Sequence, residues 1–147
     1  MTYQHILVPI DGSEISFAAA KQAISIAKSF GSKLTAISLV AEDPFSGSDF
    51  YYSTAMLKDY IEEAYANAEK ALKKVSDIAL EQGLTIETKI VKGIVSADTV
   101  IESADELKTD LIVMGSHGRK GFQKFFLGSF AQDVLGRTHT PVLIVKQ

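Results

Sequence analysis

Short apolar runs alternate along the whole chain with longer amphipathic stretches, and this alternation limits the possible fold more than any other feature. The apolar runs predict five strands, at residues 3–10, 33–40, 84–91, 110–115 and 141–146. The stretches between them repeat apolar residues every three or four positions and predict helices at 14–30, 54–81, 97–107 and 128–137. Strands separated by helices require crossover connections, so we predict a parallel sheet.

The apolar runs do not alternate with polar residues, which predicts that helices cover both faces of the sheet. The expected fold is therefore an open, five-stranded, Rossmann-like α/β sheet. The 147 residues suit one domain over positions 1–147. The chain has no Cys, which excludes a disulfide framework, a thiolate zinc site and a Cys nucleophile.

Charge and hydropathy limit the kinds of partner that the chain could bind. A formal net charge of −3 argues against general nucleic-acid binding, which favours a basic surface. The sequence has no apolar run of the roughly 18 residues that a membrane span needs. The first ten residues are typical of a strand rather than of a signal peptide, so we expect a cytoplasmic protein.

Polar and Gly-rich residues are concentrated after the first and fourth predicted strands. Asp11-Gly12-Ser13 follows the first, and Gly-Ser-His-Gly-Arg-Lys-Gly at 115–121 follows the fourth. Ligands of open parallel sheets bind beyond the carboxyl ends of the strands, where the strand order reverses. This distribution predicts a binding site between strands one and four.

The loop from Gly115 to Ser129 carries the features of a phosphate-binding loop. Gly115 and Gly118 allow the backbone to turn tightly and to approach a ligand without a Cβ. Gly128 and Ser129 begin a helix, whose N-terminal amides and dipole suit phosphate. Three cations lie beside these glycines: Arg119, Lys120 and Lys124.

Each feature also has a purely structural interpretation. The glycines could serve only turns and a cap, and the three cations could form a solvated face. Asp11 could bond local backbone, accept a ribose hydroxyl or hold a divalent cation. For His117, loop packing and a ligand contact are equally supported. Four aromatic residues of the 42–53 loop could cover a purine or pack beneath the loop: Phe45, Phe50, Tyr51 and Tyr52.

With the segments 8–13, 115–119, 128–129 and 141–145, the chain resembles the universal stress protein family over essentially its whole length. The ATP-binding branch of that family has Gly, two residues, Gly, nine residues, Gly, and then Ser or Thr. Gly115, Gly118, Gly128 and Ser129 match this pattern without gaps. The resemblance implies the strand order 3-2-1-4-5, in which strands one and four are neighbours.

The resemblance also assigns roles to individual residues. Asp11 would contact ribose or the metal, and Val40 would offer backbone groups to adenine. Pro9 would line the adenosine site, and Met114 and Gly115 would lie against the nucleoside. Gly118, Gly128 and Ser129 would hold the phosphates. Phe130 departs from the family pattern, where an aliphatic residue or Thr is more usual, although its amide could still reach a phosphate. The full nucleotide-binding set is Pro9, Asp11, Val40, Met114, Gly115, Gly118, Arg119, Gly128, Ser129 and Phe130.

The function expected from these residues is the binding of ATP, or AMP, with Mg²⁺ or Mn²⁺ on the phosphates. We expect slow hydrolysis or none, because the sequence offers no well-supported general base and no Walker-type loop. A weak ATPase or nucleotide-transferring enzyme using His117 or Asp11 is one alternative, and a ligand-free interaction module is another. The resemblance further implies a homodimer through Val142–Val145, and an apolar edge strand tends to pair with another chain.

Overall fold

The computed structural model describes residues 2–43, 53–118 and 127–146, in which strands and helices alternate as predicted. The strands are β1 (His5–Pro9), β2 (Lys33–Ala41), β3 (Glu87–Gly93), β4 (Leu111–Gly115) and β5 (Val142–Val145). The helices are α1 (Glu14–Phe30), α2 (Thr54–Glu81), α3 (Ala97–Glu106) and α4 (Ser129–Arg137). The strands form one parallel sheet in the order β3-β2-β1-β4-β5, which confirms the predicted order.

Helices cover both faces of the sheet, because each central strand sends apolar side chains to both sides. In β1, Ile6 and Val8 pack with residues of α1 and α2, whereas Leu7 packs with residues of α3 and α4. In β4, Val113 and Ile112 divide in the same way. All five side chains are fully buried. This confirms that the strands read as continuous apolar runs because neither face meets solvent.

Three of the four helices begin with a serine cap. The hydroxyls of Ser13, Ser53 and Ser96 accept hydrogen bonds from amides in the first turns of α1, α2 and α3. Such caps satisfy one of the amides that a helix start leaves without a partner. The start of α4 is different: its cap is Gly128, which supplies no side-chain hydrogen bond. The amides of its first turn therefore lack the side-chain cap that the other helices have.

Two elements differ from the sequence prediction. The strand β3 begins at Glu87 rather than at residue 84, because Leu84 and Ile86 pack against the core before the ladder with β2 begins at Glu87. The first half of α2 is also less buried than its periodicity predicted. Its fully buried residues begin only at Ala68, and Met56 is 58% exposed.

The amino ends of β1 and β4 are joined by a side chain. The carboxylate of Asp110 accepts hydrogen bonds from the backbone N–H groups of Gln4 and His5, at 2.8 and 2.9 Å. The imidazole of His5 donates from Nδ1 to the carbonyl of Leu107, and its Nε2 lies 2.8 Å from the hydroxyl of Thr35. His5 is therefore a structural residue.

Asp110→Ala is expected to lower the free energy of unfolding by about 1 kcal/mol at neutral pH, because two amides lose a charged acceptor that solvent partly screens. Burial alone would raise the pKa of Asp110, but the amides of Gln4, His5 and Asp110 itself, together with nearby His5, lower it below its usual 3.8. A lowered pKa stabilises the fold above the unfolded value and ceases to do so as the pH falls through the folded value. Urea unfolding from pH 7 to 3 should show wild type and variant converging below pH about 4. A constant difference across this range would contradict the role of the charge.

Among the helices within the described ranges, none has both the length and the hydropathy needed to cross a membrane.

Candidate functional site

A crevice begins where β1 and β4 stop pairing. The two strands are paired at Ile6–Leu111 and Leu7–Ile112, while β1 continues to Pro9 and β4 to Gly115. On their other sides the pairing continues further: β1 pairs with β2 as far as Pro9, and β4 pairs with β5 as far as Gly115. The carboxyl halves of β1 and β4 are therefore held only from outside. This is the switch point of the sheet, where the strand order reverses.

Pro9 gives a physical reason for the end of this pairing. The N–H of Ile10 donates to the carbonyl of Ile37 in β2, at 2.7 Å. Hydrogen bonding alternates between the two neighbours along a strand, so the backbone nitrogen of residue 9 is directed toward β4. Proline has no N–H to donate there. We therefore assign to Pro9 the separation of the two strands as well as its place beside the crevice.

Asp11 lies at the mouth of the crevice and is exposed. Its Oδ1 accepts hydrogen bonds from the backbone N–H of Ser13, at 2.9 Å, and from the Ser13 hydroxyl. Gly12 permits this turn because its φ is +82°, in the left-handed region that glycine favours. The turn interpretation of Asp11 is thus correct for one carboxylate oxygen.

The second carboxylate oxygen of Asp11 is directed at the fourth loop. A Cβ added to Gly118 would lie 2.9 Å from Asp11 Oδ2, so the carboxylate would have to move. The absence of a side chain at Gly118 is therefore what allows the carboxylate to lie against the loop. The two segments that the sequence singled out, after β1 and after β4, are in contact.

The structure gives a different reason for Gly115 and Gly118 than the tight turn that the sequence predicted. The glycines with positive φ in the described chain are Gly12, Gly31, Gly83 and Gly93, and neither Gly115 nor Gly118 is among them. A Cβ on Gly115 would lie 2.9 and 3.1 Å from the two Cγ atoms of Ile15. Gly115 thus lets the first turn of α1 pack directly on the end of β4.

Gly115→Ala is expected to lower the free energy of unfolding by about 1–3 kcal/mol, because its methyl group overlaps the buried Ile15 side chain. Ile15→Ala alone should cost about 2–5 kcal/mol through the cavity that it leaves. The double variant should be less destabilised than the sum, since the new methyl group enters that cavity. Urea unfolding of all three proteins tests this, and strict additivity would contradict the contact.

Gly128 brings the start of α4 against the loop after β4. Its N–H donates to the carbonyl of Ser116 at 2.7 Å. A Cβ on Gly128 would lie 3.1 Å from that carbonyl oxygen and 3.2 Å from the Cα of His117. These are backbone atoms that cannot rotate away. The helix start is therefore fixed against Ser116 and His117, the two residues that precede Gly118.

The remaining predicted site residues lie at the carboxyl ends of the central strands. Val40, near the end of β2, and Met114, in β4, are buried. Phe130 packs with the core on the α3–α4 side. Its side chain is partly buried there. Ser129 is exposed.

Some predicted residues cannot be placed. Arg119, Lys120 and Lys124 lie outside the described residues, as do the aromatic residues Phe45, Phe50, Tyr51 and Tyr52.

Ser116 and His117 have structural roles in the loop. The sequence did not single out Ser116, and it left the role of His117 open. Ser116 is only 5% exposed, and its N–H donates to the carbonyl of Val145 at 2.9 Å. Its hydroxyl lies 3.1 Å from Nδ1 of His117, so one imidazole nitrogen is engaged within the loop. A serine inside a Gly-rich loop gives no periodic signal that would mark it as buried.

The described residues offer no protein cage for a metal. No group of three or more His, Cys, Asp or Glu side chains comes close enough there to hold an ion. Asp11 is the carboxylate at the site, and hard cations such as Mg²⁺ commonly combine one or two carboxylates with substrate phosphates. A cation would therefore need a phosphorylated ligand to complete its coordination.

The comparisons with known proteins agree with this geometry. The model of the universal stress protein family matches residues 2–146. A universal stress protein of Methanocaldococcus jannaschii is 41% identical over 145 residues, which cover 99% of this chain and 83% of the relative. The chain belongs to the universal stress protein family.

Solved structures of the family share the fold over nearly the full length of both chains. The universal stress protein UspA from Lactobacillus plantarum superposes with a TM-score of 0.85 at 25% identity, covering 99% of each chain. A universal stress protein crystallised in complex with cAMP has a TM-score of 0.72 at 33% identity, covering 99% of this chain and 98% of its own. The five-stranded parallel sheet is therefore the architecture of the family.

Proposed function

We propose that this universal stress protein binds an adenine nucleotide, ATP or AMP, in the crevice between β1 and β4, and acts as a cytoplasmic regulatory protein. The observation that carries the proposal is the start of α4. Its first turn has no side-chain cap, and its Gly128 is fixed by contacts with the backbone of Ser116 and His117, the residues that precede Gly118. Free amides at a helix N-terminus are suited to phosphate.

The phosphate end of the ligand would lie on α4 and the fourth loop. The amides of Ser129 and Phe130, with the hydroxyl of Ser129, would receive the phosphate oxygens, and Gly118 leaves room for the chain to approach. Arg119 would add a positive charge next to this loop. Charge-assisted bonds from amides to an anion are stronger than neutral ones, so this end should provide much of the affinity.

The nucleoside end would lie along the carboxyl ends of β1, β2 and β4. Asp11 Oδ2 would accept from a ribose hydroxyl or hold a cation on the phosphates. The backbone of Val40 would bond the adenine edge, while Pro9, Met114 and Gly115 would line the nucleoside.

The cation would be Mg²⁺ or Mn²⁺, held mainly by the phosphates with Asp11 as its protein ligand. It would neutralise phosphate charge. Efficient phosphoryl transfer needs groups positioned around the transferred phosphoryl. The contacts of the site position amides and one carboxylate. We therefore propose that the protein holds the nucleotide and hydrolyses it slowly or not at all.

The cAMP complex of a 33% identical family member supports the choice of base and sugar. That ligand shares its adenosine with ATP and AMP, and it differs from them at the phosphate. The contacts of β1, β2 and β4 with adenosine would serve all three ligands. The α4 amides would be the part of the site that discriminates among them.

We also propose that two chains associate through β5. The two edges of the sheet differ strongly, because β3 carries Glu87, Lys89 and Lys92, whereas β5 is Val-Leu-Ile-Val. Charged residues, Lys above all, protect an edge strand from pairing. Leu143 of β5 is 38% exposed, so the apolar edge is the one open to a second copy.

A thermal-shift comparison of ATP, AMP, cAMP and GTP, each with and without Mg²⁺, tests the proposal. A ligand at 100 times its Kd adds about 2.7 kcal/mol of stability. For a chain of this size, that corresponds to a rise in Tm of about 8 °C. We expect this rise with ATP or AMP and not with GTP. Equal midpoints with all four nucleotides and without ligand would contradict the proposal.

A further inference from the structure

Ser116 is hydrogen bonded both to the end of β5 and to the residue before α4. Its N–H donates to the carbonyl of Val145, the last residue of β5, at 2.9 Å. Its carbonyl accepts from the N–H of Gly128, immediately before α4, at 2.7 Å. We call these two hydrogen bonds the Ser116 clip. The segment that runs through α4 and β5 therefore begins and ends on one buried residue.

The clipped segment is also one packing unit. Phe130 of α4 and Val142 and Ile144 of β5 pack against the same core cluster, on the α3–α4 side of the sheet. The register of β4 with β5 extends to Gly115–Val145, and the Ser116 clip continues that pairing into the loop. A change in the order of β5 must therefore reach the start of α4 through both the core and the clip.

Within the described residues, the opposite side of β5 presents backbone groups with no pairing partner. Pro141 and Val145 accept hydrogen bonds from β4 and Ser116. Since bonding alternates along a strand, the N–H and C=O groups of Val142 and Ile144 are directed away from β4, toward the open edge. A second copy of this chain would bond these groups, and their apolar surroundings favour it over a charged partner.

We propose that nucleotide binding at the start of α4 and pairing of a second copy on β5 favour each other through the Ser116 clip. This inference rests on the proposed function and adds its regulation. A phosphate on the α4 amides and a strand on β5 would each order the same clipped segment. Whichever binding event comes second then loses less conformational entropy, because the segment is already ordered. Such a linkage is reciprocal for the two binding free energies.

The test measures both equilibria in one set of proteins. The dissociation constant of the dimer is determined by sedimentation with and without saturating Mg·ATP, and the Kd for ATP is determined above and below that concentration. Wild type should show about a tenfold gain in each, within the range usual for such coupling. Leu143→Lys places like charges at the paired edges and should leave a monomer that binds ATP with the weaker, monomer affinity.

The matched control is Leu80→Lys, which changes an exposed leucine of α2 (56% exposed) and should behave as wild type. Hydrogen exchange in monomeric Leu143→Lys gives a second readout. Added Mg·ATP should slow exchange of the Ser116 and Gly128 amides several-fold, and leave the amides of β3 unchanged. Equal ATP affinity in monomer and dimer, or unchanged exchange at Ser116, would overturn the linkage and leave the proposed function intact. An absence of ATP binding in every protein would instead contradict the proposed function.

Discussion

Gly128→Val is expected to weaken ATP binding by about 100-fold or more, the largest effect of any single change in the site. The backbone at Gly128 has φ −62° and ψ 155°, which any residue can adopt, so the effect comes from contacts alone. A side chain there meets the carbonyl of Ser116 and the Cα of His117, which are backbone atoms. The start of α4 must shift, and loss of one or two charge-assisted amide bonds at about 1.5–3 kcal/mol each gives this magnitude.

Gly136→Ala is the matched control for this experiment. Gly136 lies in the same helix, and a Cβ added there meets nothing within 4 Å. Its replacement should stabilise α4 slightly, because alanine is the better helix former, and should leave ATP affinity within about twofold. Calorimetric titration together with urea unfolding separates lost affinity from lost folding. A folded Gly128→Val protein that binds ATP as wild type would contradict the role of the α4 amides.

Gly118→Ala is expected to weaken ATP binding about tenfold by displacing the carboxylate of Asp11. The new methyl group would lie 2.9 Å from Asp11 Oδ2, while Oδ1 is held by Ser13. Rotation of the carboxylate would relieve the overlap but break its bonds to Ser13. Asp11→Ala should itself cost about tenfold or more, because it removes the group proposed to contact ribose or the cation.

The double variant decides whether the two residues act together. Once Asp11 is alanine, Gly118→Ala should cost less than about threefold further, since the displaced carboxylate is gone. Glu14→Ala is the control, because it removes an equally exposed acid from the neighbouring turn and should change affinity by less than about twofold. Equilibrium titrations with Mg·ATP measure the affinity of the wild type and of the four variants. Independent, multiplicative losses would show that Gly118 does not act through Asp11.

The fold was predictable because the central strands are mostly apolar and each helix carries a period of its own. Ser13 and Ser96 stand directly before two of the predicted helices, a position that favours a serine cap, and both cap in the structure. Boundaries were less predictable where apolar residues pack without joining the ladder, as Leu84 does before β3. Burial along α2 was overestimated, because periodicity shows which face is apolar but not how far the sheet extends beneath it.

The sequence marked the candidate loop but not the reason for its glycines. The spacing of Gly115, Gly118 and Gly128 marked the loop, yet the reason for these glycines depends on side chains and backbone far away in sequence. Ile15 and Asp11 lie about one hundred positions earlier in the chain than the glycines that they contact. Such packing leaves no trace in local pattern. For the same reason the buried position of Ser116 emerges only from the contacts of β5 and α4.

A calorimetric titration of the full chain with Mg·ATP tests the central claim most directly. Nucleotide carried through purification is first removed and identified by mass spectrometry, so that the empty site is measured. The account predicts one nucleotide bound per chain, with binding lost in Gly128→Val and retained in Gly136→Ala. Absence of binding to the folded, nucleotide-free wild type, for ATP and AMP alike, would contradict it.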